Sequence, residues 1–137
     1  MNNHTNIQYF CSILSQNTNL ISLHIVSTNN YVFEYLSKAL CNNNTLQKLK
    51  IHCNLNNITF LIDIINNNKS LKYIHVYKHY FNNIIGCVKT QELLSALENN
   101  VSLEIFDGDI DVGDIMSDEQ KSARRARMMT KSSNKVN

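Results

Sequence analysis

The stretch at 42–51, NNNTLQKLKI, decides the fold because its spacing of asparagine and apolar residues returns along the chain. Partner stretches are NTNLISLHI at 17–25, NNKSLKYIHV at 67–76 and, as a weaker copy, NNVSLEIFDG at 99–108. Self-similarity at a period of about 20–50 residues is the signature of a repeat architecture. We take the first leucine of each stretch as an anchor, which gives Leu20, Leu46, Leu71 and Leu103.

The same residue types recur at fixed distances from each anchor. Apolar residues stand six, seven and ten positions before it, and in the second unit these are Leu40, Ala39 and Leu36. Apolar residues also stand three and five positions after it, until Gly108 breaks the pattern in the fourth unit. Three positions before the anchors stand asparagines, namely Asn17, Asn43, Asn68 and Asn100.

The two halves of each unit follow different periods. Phe10, Ile13 and Leu14 have the spacing of one face of an α-helix, whereas Leu23 and Ile25 alternate as in a short strand. The asparagine between them predicts a turn, because asparagine tolerates a left-handed backbone and bonds to nearby backbone groups. Each unit is therefore predicted to be helix, turn and strand. Since one unit cannot bury its own apolar face, the units must stack with their strands parallel.

This pattern resembles leucine-rich repeats, in the helix-containing style of the ribonuclease-inhibitor-like group, over about residues 7–112. The resemblance implies an α/β fold, a short leucine-rich-repeat solenoid of about four helix-turn-strand units with a parallel sheet on the concave face. We expect this domain to cover residues 1–117 and a basic, disordered tail to cover 118–137. The Leu-x-x-Leu-x-Leu core of the family stands here as Leu20–Leu23–Ile25, Leu46–Leu49–Ile51 and Leu71–Ile74–Val76.

The chain departs from the family pattern in two places. The anchors are 26, 25 and 32 residues apart, which predicts an insertion within 80–90. The family also has an asparagine three residues after the last apolar strand position, where only Asn54 matches and Thr28, His79 and Asp111 do not. We therefore expect less regular backbone bonding at that second position.

Residues between the apolar strand positions are expected to point outward from the sheet. His24, Lys50 and His75 then form a basic row that ends at Asp107, with tyrosines beside it. Cations next to tyrosines suit an acidic, partly aromatic protein surface, although solvated strand residues would show the same pattern. The predicted partner-binding residues are His24, Lys48, Lys50, His52, Tyr73, His75 and Tyr77.

The sequence gives little support to a metal site or to catalysis. A zinc site needs three or four ligands, and the histidines have no companions at metal-binding spacing. The aspartates of 107–119 alternate as in a calcium loop, but Val112 stands where that loop needs glycine, so a degenerate last repeat is favoured. Since neither a Gly-rich phosphate loop nor a G-x-S-x-G motif is present, we predict no enzyme, no metal and no cofactor.

The basic residues are concentrated at the C-terminus. Six of the thirteen Lys and Arg residues follow position 120, with no acid among them, although the net charge of the chain is only +2. The small net charge argues against nucleic acid as the main partner. The tail is interpreted as a solvated terminus, with nuclear import or contact with an acidic surface as alternatives, through Lys121, Arg124, Arg125 and Arg127.

The cysteines and the N-terminus predict an intracellular protein. The four cysteines show no CxxC spacing, the N-terminus lacks a signal pattern, and no apolar run approaches about 18 residues. We expect reduced thiols, no membrane span and a cytoplasmic location, with the nucleus as an alternative. The predicted function is a non-catalytic protein–protein interaction module, either a monomer or an end-to-end homodimer. The alternative is a regulatory or effector protein that contacts nucleic acid or an acidic surface through its tail.

Overall fold

The structure is a computed structural model that describes residues 3–27, 29–53, 58–78 and 87–108. Helices and strands alternate along these ranges, and none of the helices is long and apolar enough to span a bilayer. The helices are α1 (Asn3–Gln16), α2 (Asn30–Asn42), α3 (Ile58–Asn67) and α4 (Cys87–Asn99). The strands are β1 (Ser22–Ile25), β2 (Lys48–Cys53), β3 (Tyr73–Lys78) and β4 (Ile105–Gly108).

All four strands belong to one parallel sheet with the order β1-β2-β3-β4. The repeat positions pair directly, so that Leu23, Leu49, Ile74 and Phe106 lie side by side across the sheet. Each helix precedes its strand, as the two periods of the sequence predict. The predicted α/β repeat fold of four helix-turn-strand units with a parallel sheet is confirmed.

The core lies between the sheet and the layer of helices. In the second unit the helix residues Leu36 and Leu40 and the strand residues Leu49 and Ile51 are almost fully buried. The equivalent residues of the third unit are buried as well. Burial of each such side chain contributes about 1.5–3 kcal/mol relative to an exposed one.

The asparagine of each turn bonds in two directions. The Oδ1 of Asn43 accepts hydrogen bonds from the backbone N–H groups of Thr45 at 2.9 Å and Leu46 at 2.8 Å. Its Nδ2 donates to the carbonyl oxygens of Leu14 at 2.7 Å and Asn17 at 3.1 Å, which belong to the first unit. One side chain therefore closes its own turn and joins two neighbouring units.

The same arrangement recurs in the third and fourth units. The Nδ2 of Asn68 donates to the carbonyl oxygen of Leu40 at 2.7 Å, and that of Asn100 to the carbonyl oxygen of Ile65 at 2.6 Å. These carbonyls lie in the last turn of the preceding helix, where the regular helical donors have run out. We call Asn43, Asn68 and Asn100 the asparagine ladder.

The backbone part of the asparagine prediction is wrong. Asn43 has a φ of −86° and a ψ of 128°, and no residue other than glycine has a positive φ within the described ranges. The asparagines therefore act through their side chains and not through a left-handed backbone. The side chain suffices because an amide offers an acceptor to the turn and two donors to the neighbouring unit.

The last strand ends at Gly108, which replaces the Ile or Val of the earlier units. Its φ is 122°, and a Cβ at this position would overlap the backbone carbonyl of Val76 on β3. Only glycine allows both the backbone conformation and so close an approach.

Several predicted features fall outside the described residues. They are the second asparagine position of the family at Thr28, Asn54, His79 and Asp111, residues 80–86 of the insertion predicted within 80–90, and residues 109–137 of the acidic stretch and the tail. Residues 87–90 of the predicted insertion belong to α4. The division into a domain at 1–117 and a tail at 118–137 therefore stays a prediction.

Candidate functional site

The seven partner-binding residues predicted from the sequence lie together on the face of the sheet that is turned away from the helices. We call this surface the open sheet face. Neighbouring strands place Ser22, Lys48, Tyr73 and Ile105 at one level of the sheet. The next level holds His24, Lys50, His75 and Asp107, and a third level holds His52 and Tyr77.

The Asp107 end of the central row is internally paired. The Oδ1 of Asp107 lies 2.5 Å from the Nδ1 of His75, an ion pair when the imidazole is protonated and a hydrogen bond when it carries its proton on Nδ1. The phenol oxygen of Tyr73 lies 3.3 Å from the same nitrogen. The carboxylate of Asp107 is thus compensated by its neighbours on β3.

The pKa of Tyr73 is raised above its ordinary value of 10.0 by these surroundings. Lost hydration raises its pKa, and the negative charge of Asp107 and a hydrogen bond with that carboxylate raise it further. A phenol is already protonated at neutral pH, so the raised pKa extends to more alkaline pH the range in which the hydroxyl can donate a hydrogen bond.

Flat rings form a continuous cluster across β1, β2 and β3. The ring of His52 stacks on the rings of His24, at a centroid distance of 5.3 Å, and of Tyr77, at 4.6 Å. His75 completes this ring cluster with a tilted contact to Tyr77 at 4.3 Å. Stacked rings are stiff and amphipathic, so the ring cluster offers a surface that packs on a partner at low entropic cost.

Two cations on β2 stand beside the ring cluster. Lys48 is exposed and Lys50 is half-buried, and neither forms a salt bridge within the residues that the structure describes. The positive charge of β2 is therefore available to a partner, whereas the carboxylate of Asp107 on β4 is already in contact with the imidazole of His75.

The described residues offer no metal site on this face. No group of three or more His, Cys, Asp or Glu residues among them could hold a metal ion.

An open groove of about 640 Å³ lies on the helix side, where Lys38 of α2 and Phe60 of α3 line it. Cys41 also lines this groove, and burial together with the charge of Asp63 raises the pKa of its thiol, so it is a poor nucleophile.

Sequence reasoning missed two parts of the arrangement. The ring cluster depends on diagonal contacts such as that of His24 with His52, which alternation alone does not reveal. The sequence shows an asparagine at the same position of every unit, but this pattern by itself indicates only a turn and not the bond between units. The basic tail residues Lys121, Arg124, Arg125 and Arg127 lie outside the described residues.

Comparison with known proteins identifies the fold. No protein-family model matches the chain, and no curated protein matches it. Among solved structures, actin-binding site 2 of leiomodin-1 is similar with a TM-score of 0.73 and 17% identity, over 98% of this chain and 79% of that chain. The tropomodulin C-terminal domain of Caenorhabditis elegans is similar with a TM-score of 0.58 and 14% identity, over 96% of this chain and 98% of that chain. At such identities the likeness shows the fold alone, which is leucine-rich-repeat-like, with helices packed on a parallel sheet.

Proposed function

We propose that the chain is a non-catalytic protein-interaction module that binds an acidic partner protein on the open sheet face, inside the cell. The single observation that carries the proposal is the ring cluster next to the uncompensated Lys48 and Lys50. Rings and cations side by side are typical of binding surfaces, where aromatic residues supply contact area and charges supply orientation. The open sheet face corresponds to the concave face of the leucine-rich-repeat family.

Actin is the first partner to test. One of the two similar structures is described as an actin-binding site, and it shares its fold with nearly the whole of this chain. The helical segments before β2, β3 and β4 also support assignment of the repeats to the ribonuclease-inhibitor-like group. We propose a cytoplasmic location, since actin filaments are assembled there.

The test is a charge reversal on β2. In the variant Lys48→Glu/Lys50→Glu, binding of purified actin, measured by biolayer interferometry, should weaken at least about tenfold because two attractions become repulsions. The matched control is Lys38→Glu/Lys69→Glu, which makes the same charge change at exposed positions off the open sheet face. Circular dichroism checks that both variants fold.

The possible outcomes test separately whether the open sheet face is the binding surface and whether actin is the partner. Equal loss in the test and control variants would mean that net charge and not the open sheet face governs binding. If the wild-type chain does not bind actin, the actin assignment is wrong. Proteins captured from cells by the wild type and not by the β2 variant would then identify the partner of the face.

The basic tail supports a second candidate function. Six cations without an acid after position 120 favour contact with nucleic acid or an acidic surface. The affinity of the full chain for a DNA duplex should then fall steeply as the salt concentration rises. Deletion of 121–137 should remove this salt dependence. If the full chain shows no such binding at low salt, this alternative is wrong.

A further inference from the structure

The first unit exposes apolar residues at positions that the later units bury. Phe10 is 39% exposed, whereas its counterparts Leu36, Leu61 and Leu93 are each 1% exposed. Ile13 is 50% exposed, although its counterparts in the later units are buried. Terminal units of a repeat array normally replace such residues with polar ones, because no neighbour covers them. Here the core residue types are kept.

These side chains lie on the side of α1 that faces away from α2. Gln8 lies on the side of α1 that faces α2, because its Nε2 donates a hydrogen bond to the hydroxyl of Tyr35 at 2.5 Å. Cys11 is buried and therefore lies on the side that faces the core. Tyr9, 71% exposed, adds an aromatic ring away from both. We call Tyr9, Phe10, Ile13 and the outer edge of β1 the end face.

The polar groups of the end face are also unmatched. Asn43, Asn68 and Asn100 each donate to the preceding unit, but the Nδ2 of Asn17 finds no such acceptor in the part of the chain that the structure describes. Strand β1 is an edge strand. The backbone carbonyl of Ile21 accepts hydrogen bonds from Gln47 and Lys48 and so faces β2. Because the backbone groups of successive strand residues point to opposite sides, the N–H and C=O groups of Ser22 face the open edge.

The end face carries no Asp, Glu, Lys or Arg, and its edge strand β1, although only four residues long, lacks the residues that usually block strand pairing. No Asp, Glu, Lys or Arg occurs before Glu34, so a second copy of this surface meets no like-charge repulsion. Natural edge strands are commonly blocked by lysine, proline or a bulge, and the sequence SLHI of β1 contains neither residue. The opposite edge, β4, differs because it carries Asp107 and ends in the positive φ of Gly108.

We propose that the end face is a self-association surface on which a second copy of this chain docks, N-terminal end against N-terminal end, about a two-fold axis. The axis runs perpendicular to the sheet, so that the two β1 strands pair antiparallel and both α1 helices remain on one side. A two-fold contact closes on itself and leaves no further end face exposed.

The size of the end face indicates a reversible dimer. A whole aromatic residue has an area of about 150–250 Å². With the exposed fractions of Tyr9, Phe10 and Ile13, the exposed area of these three residues is roughly 300 Å² per copy. A standard interface covers about 800 Å² per partner, so the strand edges and flanking polar groups must provide the remainder. The association state should therefore depend on protein concentration.

Light scattering after size exclusion, with the full chain over a wide range of concentrations, tests this proposal. The wild type should shift from monomer to dimer as the concentration rises. The variants Tyr9→Lys/Ile13→Lys and Tyr9→Glu/Ile13→Glu should each remain monomeric, because like charges then meet across the axis. An equimolar mixture of the two variants should dimerise again.

The matched control is Val101→Lys/Ile105→Lys, which alters side chains of similar exposure near the other end of the sheet, 79% and 51%. It should dimerise like the wild type, and circular dichroism should show every variant folded. A wild type that stays monomeric at all concentrations overturns the proposal, as does dimerisation that survives both end-face variants. Loss of association in the control as well would indicate head-to-tail stacking and would overturn the two-fold contact.

Discussion

The first and second units of the array share one sequence pattern but have different surroundings. Leu36 is buried while Phe10, at the same repeat position, is half-exposed. The side chain of Asn43 bonds to the preceding unit, whereas the side chain of Asn17 bonds, among the described residues, only within its own turn. The difference shows that a unit is completed by its N-terminal neighbour. The pattern of one unit specifies the contacts, and the neighbour determines whether they are made.

The largest expected difference between the units comes from truncating their equivalent helix residues. Leu36→Ala should lower the free energy of unfolding by about 2–5 kcal/mol, because it opens a cavity in the buried layer. Phe10→Ala removes a partly exposed ring and should cost about 1 kcal/mol at concentrations where the chain is monomeric. Urea denaturation of both variants measures the two losses. Equal losses would mean that Phe10 is covered in the monomer.

A smaller difference is expected for the asparagines. Asn43→Ala removes the acceptor of the backbone N–H groups of Thr45 and Leu46 and the donor that joins the second unit to the carbonyl of Leu14, which keeps only its bond from the N–H of Asn17 at 3.2 Å. These losses should cost about 2–4 kcal/mol. Asn17→Ala loses only the turn contacts and should cost about 1 kcal/mol. Thermal unfolding of the two variants compares them. If both lose the same stability, the bond between units contributes little.

A third effect concerns the covered side of α1 and appears only at alkaline pH. Burial raises the pKa of the Cys11 thiol to about 11 from an ordinary value of 9.0. Above pH 9.0 the unfolded chain releases this proton while the folded chain retains it, so stability should fall as the pH rises from about 9 to 11. The fall contributed by this group is about 1.4 kcal/mol per pH unit at most.

Cys11→Ala is the control for that titration, because it removes the thiol without adding another ionisable group. Melting temperatures of both chains, measured across this alkaline range, should converge as the pH rises. Parallel curves would show that Cys11 is hydrated and that α1 does not cover it.

The strand register could be predicted from the sequence, and the side-chain contacts across the sheet could not. Anchor spacing alone places His24, Lys50 and His75 in one row ending at Asp107, and the structure has that row. Register follows from the spacing because a slip by one residue would turn buried leucines toward solvent. Partner binding by this face is still a prediction, since no observation tests it.

The remaining features depend on side-chain rotamers and on neighbouring units. Whether His52 stacks on Tyr77 or extends into solvent depends on χ angles, which a period of two residues does not specify. The bond of Asn43 to the preceding unit cannot be predicted from one unit, because the turn within that unit already explains an asparagine at this position. The exposed Phe10 is apolar like its buried counterparts Leu36, Leu61 and Leu93, so the sequence pattern predicts that it belongs to the core.

The asparagine ladder also bears on how such an array can lengthen during evolution. Each internal unit carries the amide that joins it to the unit before it, and the acceptors are backbone carbonyls that every helix end provides whatever its sequence. A duplicated copy of an internal unit therefore brings its own connection and needs no compensating substitution in its neighbours. Gene duplication within the array can thus produce a joined, packed unit in a single step.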